Sequence, residues 1–372
     1  MSNLVALDLP GDQAFVDTVR RIWDRGDAVL PIDRRLPGPA RAALLAAMRP
    51  THLVDTAGEH PLDGEPVKAG DALVMATSGS TGVPKGVILT HDALVASATA
   101  TSRRLDVRPD DHWLACLPLA HIGGFSVITK ALHANTRLTV LPGFDADAVT
   151  AAANAGATLV SLVPTALQRI DPALFRVIVL GGARPPAART ANTVATYGMT
   201  ETGSGVVYDG SPLDTVDVRI AADGEILLRG PMLLRIYRDG TTPVDADGWL
   251  HTDDAGRWLA DGRLHVEGRR SDLIVTGGEN VWPDAVEHVL LQHPGVAEVA
   301  VVGEADAEWG QLVSAWVVPV TSSDPPTVAG LREWVCRELP SFMAPKQLHL
   351  VTGLPRTALG KVRRDQVPSH SR

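Results

Sequence analysis

The chain has 372 residues, 45% of them hydrophobic, and a formal net charge of −9. That length allows two domains or one large one with a real core, and the acidic balance argues against a general nucleic-acid-binding role. Cys116 and Cys336 stand in separate segments, which leaves no disulfide framework or thiol metal site and suits a reducing cytoplasm; no apolar run is long enough for a membrane span, and Met1-Ser2-Asn3-Leu4 opens no signal peptide.

Residues 1–70 read as helix plus loop, with Phe15, Val19, Ile22 and Trp23 at helical spacing. From about 72 to 185, strands and helices alternate. Apolar runs over 72–76, 87–89, 112–117, 137–141, 158–163 and 176–180 predict buried strands. Helices are expected over 127–134 and 145–155, and from about Asp92 behind a Thr90 cap. The alternation predicts a layered α/β domain. Over 206–267 the helical period stops. Short runs at 216–220, 225–229 and 263–267, set between Asp-Gly turns, predict a small barrel or meander. Beyond 270 a helix near Pro283, strands over 296–302 and 313–320, and a helix over 328–338 predict a small α+β domain. The expected domains are therefore 1–270 and 271–372.

The most telling segment is Thr77-Ser78-Gly79-Ser80-Thr81-Gly82-Val83-Pro84-Lys85-Gly86-Val87. Glycines let backbone approach a ligand, and bare N–H groups, hydroxyls and a lysine make a phosphate cradle. It is not a Walker A loop: Gly86 follows the lysine where that motif has Ser/Thr, and the expected order is strand–loop–strand. A second pair of motifs is Gly181-Gly182-Ala183 at a strand end and Tyr197-Gly198-Met199-Thr200-Glu201. Ligands of α/β folds sit at carboxyl ends of strands. There a flat purine can lie on glycine backbone and stack on Tyr197, while Glu201 can hold Mg²⁺. A third motif, Gly248-Trp249-Leu250-His251-Thr252-Asp253-Asp254, offers a carboxylate for ribose hydroxyls. Gly268-Arg269-Arg270-Ser271-Asp272 sits where a hinge is expected, ahead of Gly277-Gly278-Glu279. Lys361, after Gly360, can reach into a cleft and neutralise transferring charge. His288 and His293 are spaced i, i+5 and do not share a helix face.

Taken in order, these segments over roughly 72–365 resemble the adenylate-forming superfamily of acyl-CoA synthetases, peptide-synthetase adenylation domains and luciferases. The resemblance implies a large N-terminal AMP-binding domain, shortened at its start, and a small mobile C-terminal lid. It implies ATP, Mg²⁺ and coenzyme A as cofactors, a small-molecule carboxylic acid as substrate, a cytoplasmic setting and room for a homodimer. By resemblance, residues 77–87 hold the β- and γ-phosphates. Thr200 and Glu201 sit near the α-phosphate and metal, Asp254 and Arg269 bind ribose, and Lys361 bridges carboxylate and α-phosphate. Ser271 is the pivot with Asp272 beside it, and Gly277, Gly278 and Glu279 line the thiol tunnel. Asp253 departs from the family, which usually has glycine there.

Leu117-Pro118-Leu119-Ala120-His121-Ile122-Gly123-Gly124 looks like the corresponding block of o-succinylbenzoate–CoA ligases of menaquinone synthesis. That resemblance implies His121 and Gly124 at the acyl pocket, and Lys130 as an anchor for a second carboxylate. The alternatives are a ligase for an aromatic or fatty acid, and a non-catalytic nucleotide-binding protein.

Overall fold

The computed structural model describes residues 1–78, 84–186, 188–356 and 362–367. By internal packing the chain divides into two units. The first comprises Met1–Arg219, Leu227–His251 and Trp258–Leu264; the second comprises Ile220–Ile226, Thr252–Arg257 and His265–Arg372.

The first unit carries two seven-stranded sheets. Strands β1 (Leu4–Leu7), β2 (Ala28–Pro31), β3 (His52–Asp55), β4 (Gly58–Pro61), β5 (Asp71–Ser78) and β6 (Pro84–Thr90) form one sheet. Its order is Ile236–Tyr237, β6, β5, β2, β1, β3, β4. Helices α1 (Gln13–Asp24) and α2 (Gly38–Met48) stand between its early strands. Asp12 caps α1 by accepting from Phe15 N–H, and Phe15, Val16, Val19 and Ile22 form its buried face.

This corrects the helix-plus-loop reading of 1–70. The runs Leu4-Val5-Ala6-Leu7 and Ala28-Val29-Leu30-Pro31 are wholly buried, and β1 pairs in parallel with both β2 and β3. Four-residue strands buried on both faces show no alternation, so no period marks them in sequence.

The second sheet has α3 (His91–Arg104) leading into it. Its strands are β7 (His112–Ala115), β8 (Arg137–Val140), β9 (Leu159–Leu162), β10 (Val177–Leu180), β11 (Thr193–Met199), β12 (Ser204–Tyr208) and β13 (Ser211–Pro212). The order is β13-β12-β11-β10-β9-β7-β8. From β8 to β11 every pairing is parallel, so these strands end on the same side. The connecting helices are α4 (Ile122–Ala134), α5 (Ala146–Asn154) and the single turn α6 (Pro164–Leu167). Thr90 caps α3 as expected. Helix α4 starts five residues before the expected 127, because Gly124 lets its first turn pack on the Leu117 and Pro118 carbonyls, where a Cβ would collide.

Past β13, a four-stranded sheet runs in the order Asp217–Ile220, Glu225–Arg229, Leu250–Trp258, Leu264–Arg269. The C-terminal part of the second unit pairs Val296–Asp306 with Gly310–Pro319 over most of their lengths. Gln347–Leu350 runs parallel on the far edge of Gly310–Pro319, and Ile274–Thr276 also pairs with it. α7 (Pro283–Leu290) and α8 (Val328–Val335) contribute Val286, Leu290, Leu331 and Val335 to that core.

Candidate active site

The cradle lies on an antiparallel hairpin, with Thr77 opposite Lys85 and Ser78 opposite Pro84. Gly79, Ser80, Thr81 and Gly82 lie outside the described residues. Gly86 has no room for a side chain, since Met48 Sδ, Arg238 Cβ at 2.9 Å and Val74 crowd it. The Lys85 ammonium lies 5.0 Å from the centre of the Tyr237 ring, a cation–π contact. Tyr237 stands on the edge strand paired with β6, opposite Val87.

Tyr237 also reaches the second motif. Its hydroxyl donates to Glu201 Oε1 at 2.9 Å, and Leu234 N–H donates to Glu201 O at 2.7 Å. Lys85 and Glu201 are thus brought to one place by a residue that the sequence reading did not single out. No basic side chain pairs with Glu201 among the described residues. A half-buried carboxylate with a neutral donor on one oxygen fits a Mg²⁺ ion, which takes oxygen ligands.

The Thr200–Thr202 turn is fixed by its own residues. Thr202 Oγ1 accepts from Met199 N–H at 3.0 Å and donates to Ser204 O at 2.7 Å, and Gly203 takes a left-handed φ of 67°. Gly198 is opposite Gly205 across β11 and β12, at a bulge between Tyr197 and Gly198. A Cβ at 198 would collide with Ser204 O. Gly181, Gly182 and Ala183 follow β10, the parallel neighbour of β11, so they and Tyr197 share one strand-end edge. Thr196 Oγ1 ties the two strands by donating to Leu180 O at 3.2 Å.

On the acid side, His121 is the N-cap of α4. Its Nε2 lies 3.2 Å from Asp33 Oδ2, with Arg35 Nη2 at 3.5 Å. Sequence reasoning missed Asp33 and Arg35, which follow β2. Lys130 does not face solvent; it is 2% exposed. It donates to Ser126 Oγ at 3.2 Å and lies 5.8 Å from the Trp113 ring centre. No carboxylate pairs with it among the described residues. Burial pulls its ammonium down to about 7.

In the second unit, Asp254 is buried and pairs with Arg269 Nε at 2.9 Å. Arg269 also donates to Thr252 O at 2.9 Å, and Asp254 N–H donates to Thr252 Oγ1 at 3.0 Å. Asp253 has φ of 59°, in the left-handed region. That explains the family's usual glycine, and aspartate is among the few side chains that tolerate it. Ser271 and Asp272 belong to the 3-10 turn Arg270–Asp272. Asp272 Oδ2 accepts from Arg364 at 2.7 Å, and Arg364 also pairs with Asp284 and Glu287. Gly277 and Gly278 form the turn between Ile274–Thr276 and Glu279–Val281, both at positive φ. Lys361 lies outside the described residues.

The first unit thus sets a lysine-bearing hairpin beside a carboxylate that no described basic side chain pairs with, and the second holds a buried aspartate–arginine pair. The AMP-binding enzyme family matches residues 41–238, and the AMP-binding enzyme C-terminal domain matches 285–361. The probable 2-succinylbenzoate–CoA ligase of Mycobacterium tuberculosis is 40% identical over 364 residues, covering 90% of this chain and 93% of its own. The 2-succinylbenzoate–CoA ligase of Bacillus anthracis is 37% identical over 334 residues, 79% of this chain and 69% of its own. The o-succinylbenzoate CoA synthetase of Bacillus subtilis, solved with its acyl-adenylate intermediate, superimposes with a TM-score of 0.88 at 28% identity, covering 98% of this chain and 87% of that one. The same enzyme solved with ATP and magnesium matches with a TM-score of 0.87. This chain belongs to the AMP-binding enzyme family.

Proposed function

We propose that the protein is an ATP-dependent acid–CoA ligase that works through an acyl-adenylate, with o-succinylbenzoate as its acid, in menaquinone synthesis. The observation that carries the adenylation reading is the Lys85–Tyr237–Glu201 arrangement, a cation and a carboxylate with no basic partner among the described residues, held around one tyrosine. The acid is supported by the names of the M. tuberculosis, B. anthracis and B. subtilis relatives. The buried Lys130 supports the same choice, because a second substrate carboxylate would supply the counter-charge that no described residue gives it.

A carboxylate is a poor electrophile, so the acid first attacks the α-phosphate of ATP and expels pyrophosphate. The 77–87 hairpin grips the leaving pyrophosphate. Glu201 would hold Mg²⁺, which supplies charge neutralisation along the phosphates. Thr200 lies by the α-phosphate, Gly181–Ala183 and Tyr197 by the purine, and Asp254 with Arg269 by the ribose. Lys361 neutralises charge between carboxylate and α-phosphate. The C-terminal part then turns about Ser271 and Asp272, Lys361 leaves, and Gly277–Glu279 line the path of the thiol. The thiol of coenzyme A displaces AMP. We place the enzyme in the cytoplasm, with ATP, coenzyme A and the acid as its partners, and assign it a homodimer.

The test is pyrophosphate release and hydroxamate trapping over a panel of acids, o-succinylbenzoate included. Acid-dependent release with o-succinylbenzoate as best substrate is the expected result. Turnover of a monoacid in its place would remove the second-carboxylate role of Lys130. No acid-dependent release from any acid would favour a non-catalytic nucleotide binder.

A further inference from the structure

His121 is held by a partner 88 residues earlier in the first unit. Asp33 follows β2 and is 7% exposed. Arg35 grips both of its oxygens, Nε to Oδ1 at 2.9 Å and Nη2 to Oδ2 at 2.7 Å. The Arg35 backbone N–H gives Oδ1 a further bond at 3.0 Å. Burial alone would raise this carboxyl, but the hydrogen bonds from Arg35 and His121 outweigh it and hold Asp33 well below the usual carboxylate range.

An ionised carboxylate only accepts hydrogen bonds. The 3.2 Å contact between Asp33 Oδ2 and His121 Nε2 therefore requires the proton on Nε2. Arg35 Nη2, 3.5 Å from the same nitrogen, then finds no lone pair there, and its bond is to Asp33 alone. Nδ1 has no partner among the described residues. The ring itself sits on the N-cap residue of α4, a position the helix start fixes.

We propose that Asp33 is a positioning residue for the acid side of the adenylation site: it fixes His121 as the Nε2–H form, leaves Nδ1 as the ring nitrogen available to the substrate, and is itself held by Arg35. The proposal rests on the reading of His121 as an acid-side residue. It also gives the first 35 residues a part in choosing the acid, which no phosphate-side motif does.

The experiment has two arms on the full chain. The first is ¹⁵N-histidine NMR with long-range proton correlations, the His121 signals being those lost in His121→Gln. It needs no acid and so does not depend on which acid is the substrate. Wild type should show a protonated Nε2. Asp33→Asn should bring in the Nδ1–H form, because the asparagine amide can donate to Nε2, and Asp33→Glu should restore the wild-type pattern. The second arm is ATP–pyrophosphate exchange with o-succinylbenzoate. Asp33→Asn should raise the acid KM by about tenfold, the loss of one hydrogen bond to a charged group, with the KM for ATP unchanged. Arg35→Gln, at an exposed side chain, gives a second variant should Asp33→Asn fold poorly, with a smaller shift in the same direction.

A bare Nε2 in wild type, or an unchanged His121 signature in Asp33→Asn, overturns the proposal. If the signature changes but the acid KM of both Asp33→Asn and His121→Gln stays at wild type, the pairing stands and the acid-side reading of His121 falls.

Discussion

The Tyr237 hydroxyl donates to Glu201 Oε1 across 2.9 Å, from a strand paired with the one that carries Lys85. One aromatic residue thereby sets the position of both the candidate metal carboxylate and the candidate phosphate lysine. Tyr237→Phe keeps the ring under Lys85 and removes the donor. The Mg²⁺ concentration for half-maximal pyrophosphate exchange should rise by about tenfold, the size of one hydrogen bond to a charged group. Tyr237→Ala should in addition raise the KM for ATP. A Phe variant with wild-type Mg²⁺ dependence would remove the positioning role.

Asp253 and Asp254 separate by conformation. Asp253→Gly replaces a side chain at φ of 59° with the residue that suits it. It should stabilise the fold by up to about 1 kcal/mol and leave the KM for ATP alone. Asp254→Ala removes the buried partner of Arg269 and should raise that KM by an order of magnitude or so. Thermal unfolding and exchange kinetics on the two variants decide the ribose assignment.

Lys130 makes stability depend on pH. Its folded value is about 7, against about 10.4 in an unfolded chain. Above about pH 7 the unfolded chain therefore binds more protons, and stability rises with pH by up to about 1.4 kcal/mol per unit. Cys116 and Tyr208, both pushed up to about 12 by burial, work the other way once their unfolded values are passed. The clean window is thus about pH 7 to 8.5. Lys130→Met should flatten that slope and raise the unfolding midpoint at pH 7, while weakening binding of a dicarboxylic acid. Urea unfolding at several pH values in this window checks the sign.

Arg364 holds three carboxylates from two elements: Asp272 in the 3-10 turn, and Asp284 and Glu287 in α7. Arg364→Ala leaves them facing one another, at a cost of about 1–3 kcal/mol, less than for a buried pair because Asp272 and Asp284 are partly exposed. Arg364→Lys should not restore it, because Nε, Nη1 and Nη2 each serve a different oxygen. Hydrogen exchange should show the loss confined to the second unit.

Lys361→Ala should reduce adenylation by on the order of 10²–10³, as removing one charge-stabilising donor does. It should spare thioester formation from pre-made acyl-adenylate. Equal loss in both half-reactions would contradict the assigned turning of the C-terminal part.

The parts of the site that were legible in sequence are those whose chemistry is contiguous. Thr77 and Lys85 are paired across neighbouring strands only eight residues apart, and Tyr197 to Glu201 is one strand end and its turn. The two strands were legible as the apolar runs 72–76 and 87–89 on either side of the glycines, and these pair antiparallel. What stayed hidden depends on contacts between remote segments. Tyr237 meets Glu201 across 36 residues and Asp33 meets His121 across 88. Neither tyrosine nor aspartate stands in a local pattern that marks it. Strands β1 to β3 were missed for the same reason: each is a four-residue run made a strand by its parallel neighbours. Asp253 was legible as a departure, but only its backbone angle gives the departure a cause.

The close approach of Gly198 to Ser204 has a bearing on how such an enzyme can diversify. No side chain fits at 198 without driving β11 and β12 apart, and Tyr197 and Glu201 would shift together. The backbone at 198 is therefore tied to that at 204 and 205, and a change at one requires a change at the others. His121, Asp33 and Lys130 stand on helix α4 and the loop after β2, away from the β11–β12 bulge in sequence. On the proposed reading, the acid preference can then change through His121, Asp33 and Lys130 without a change at the Gly198 crossing.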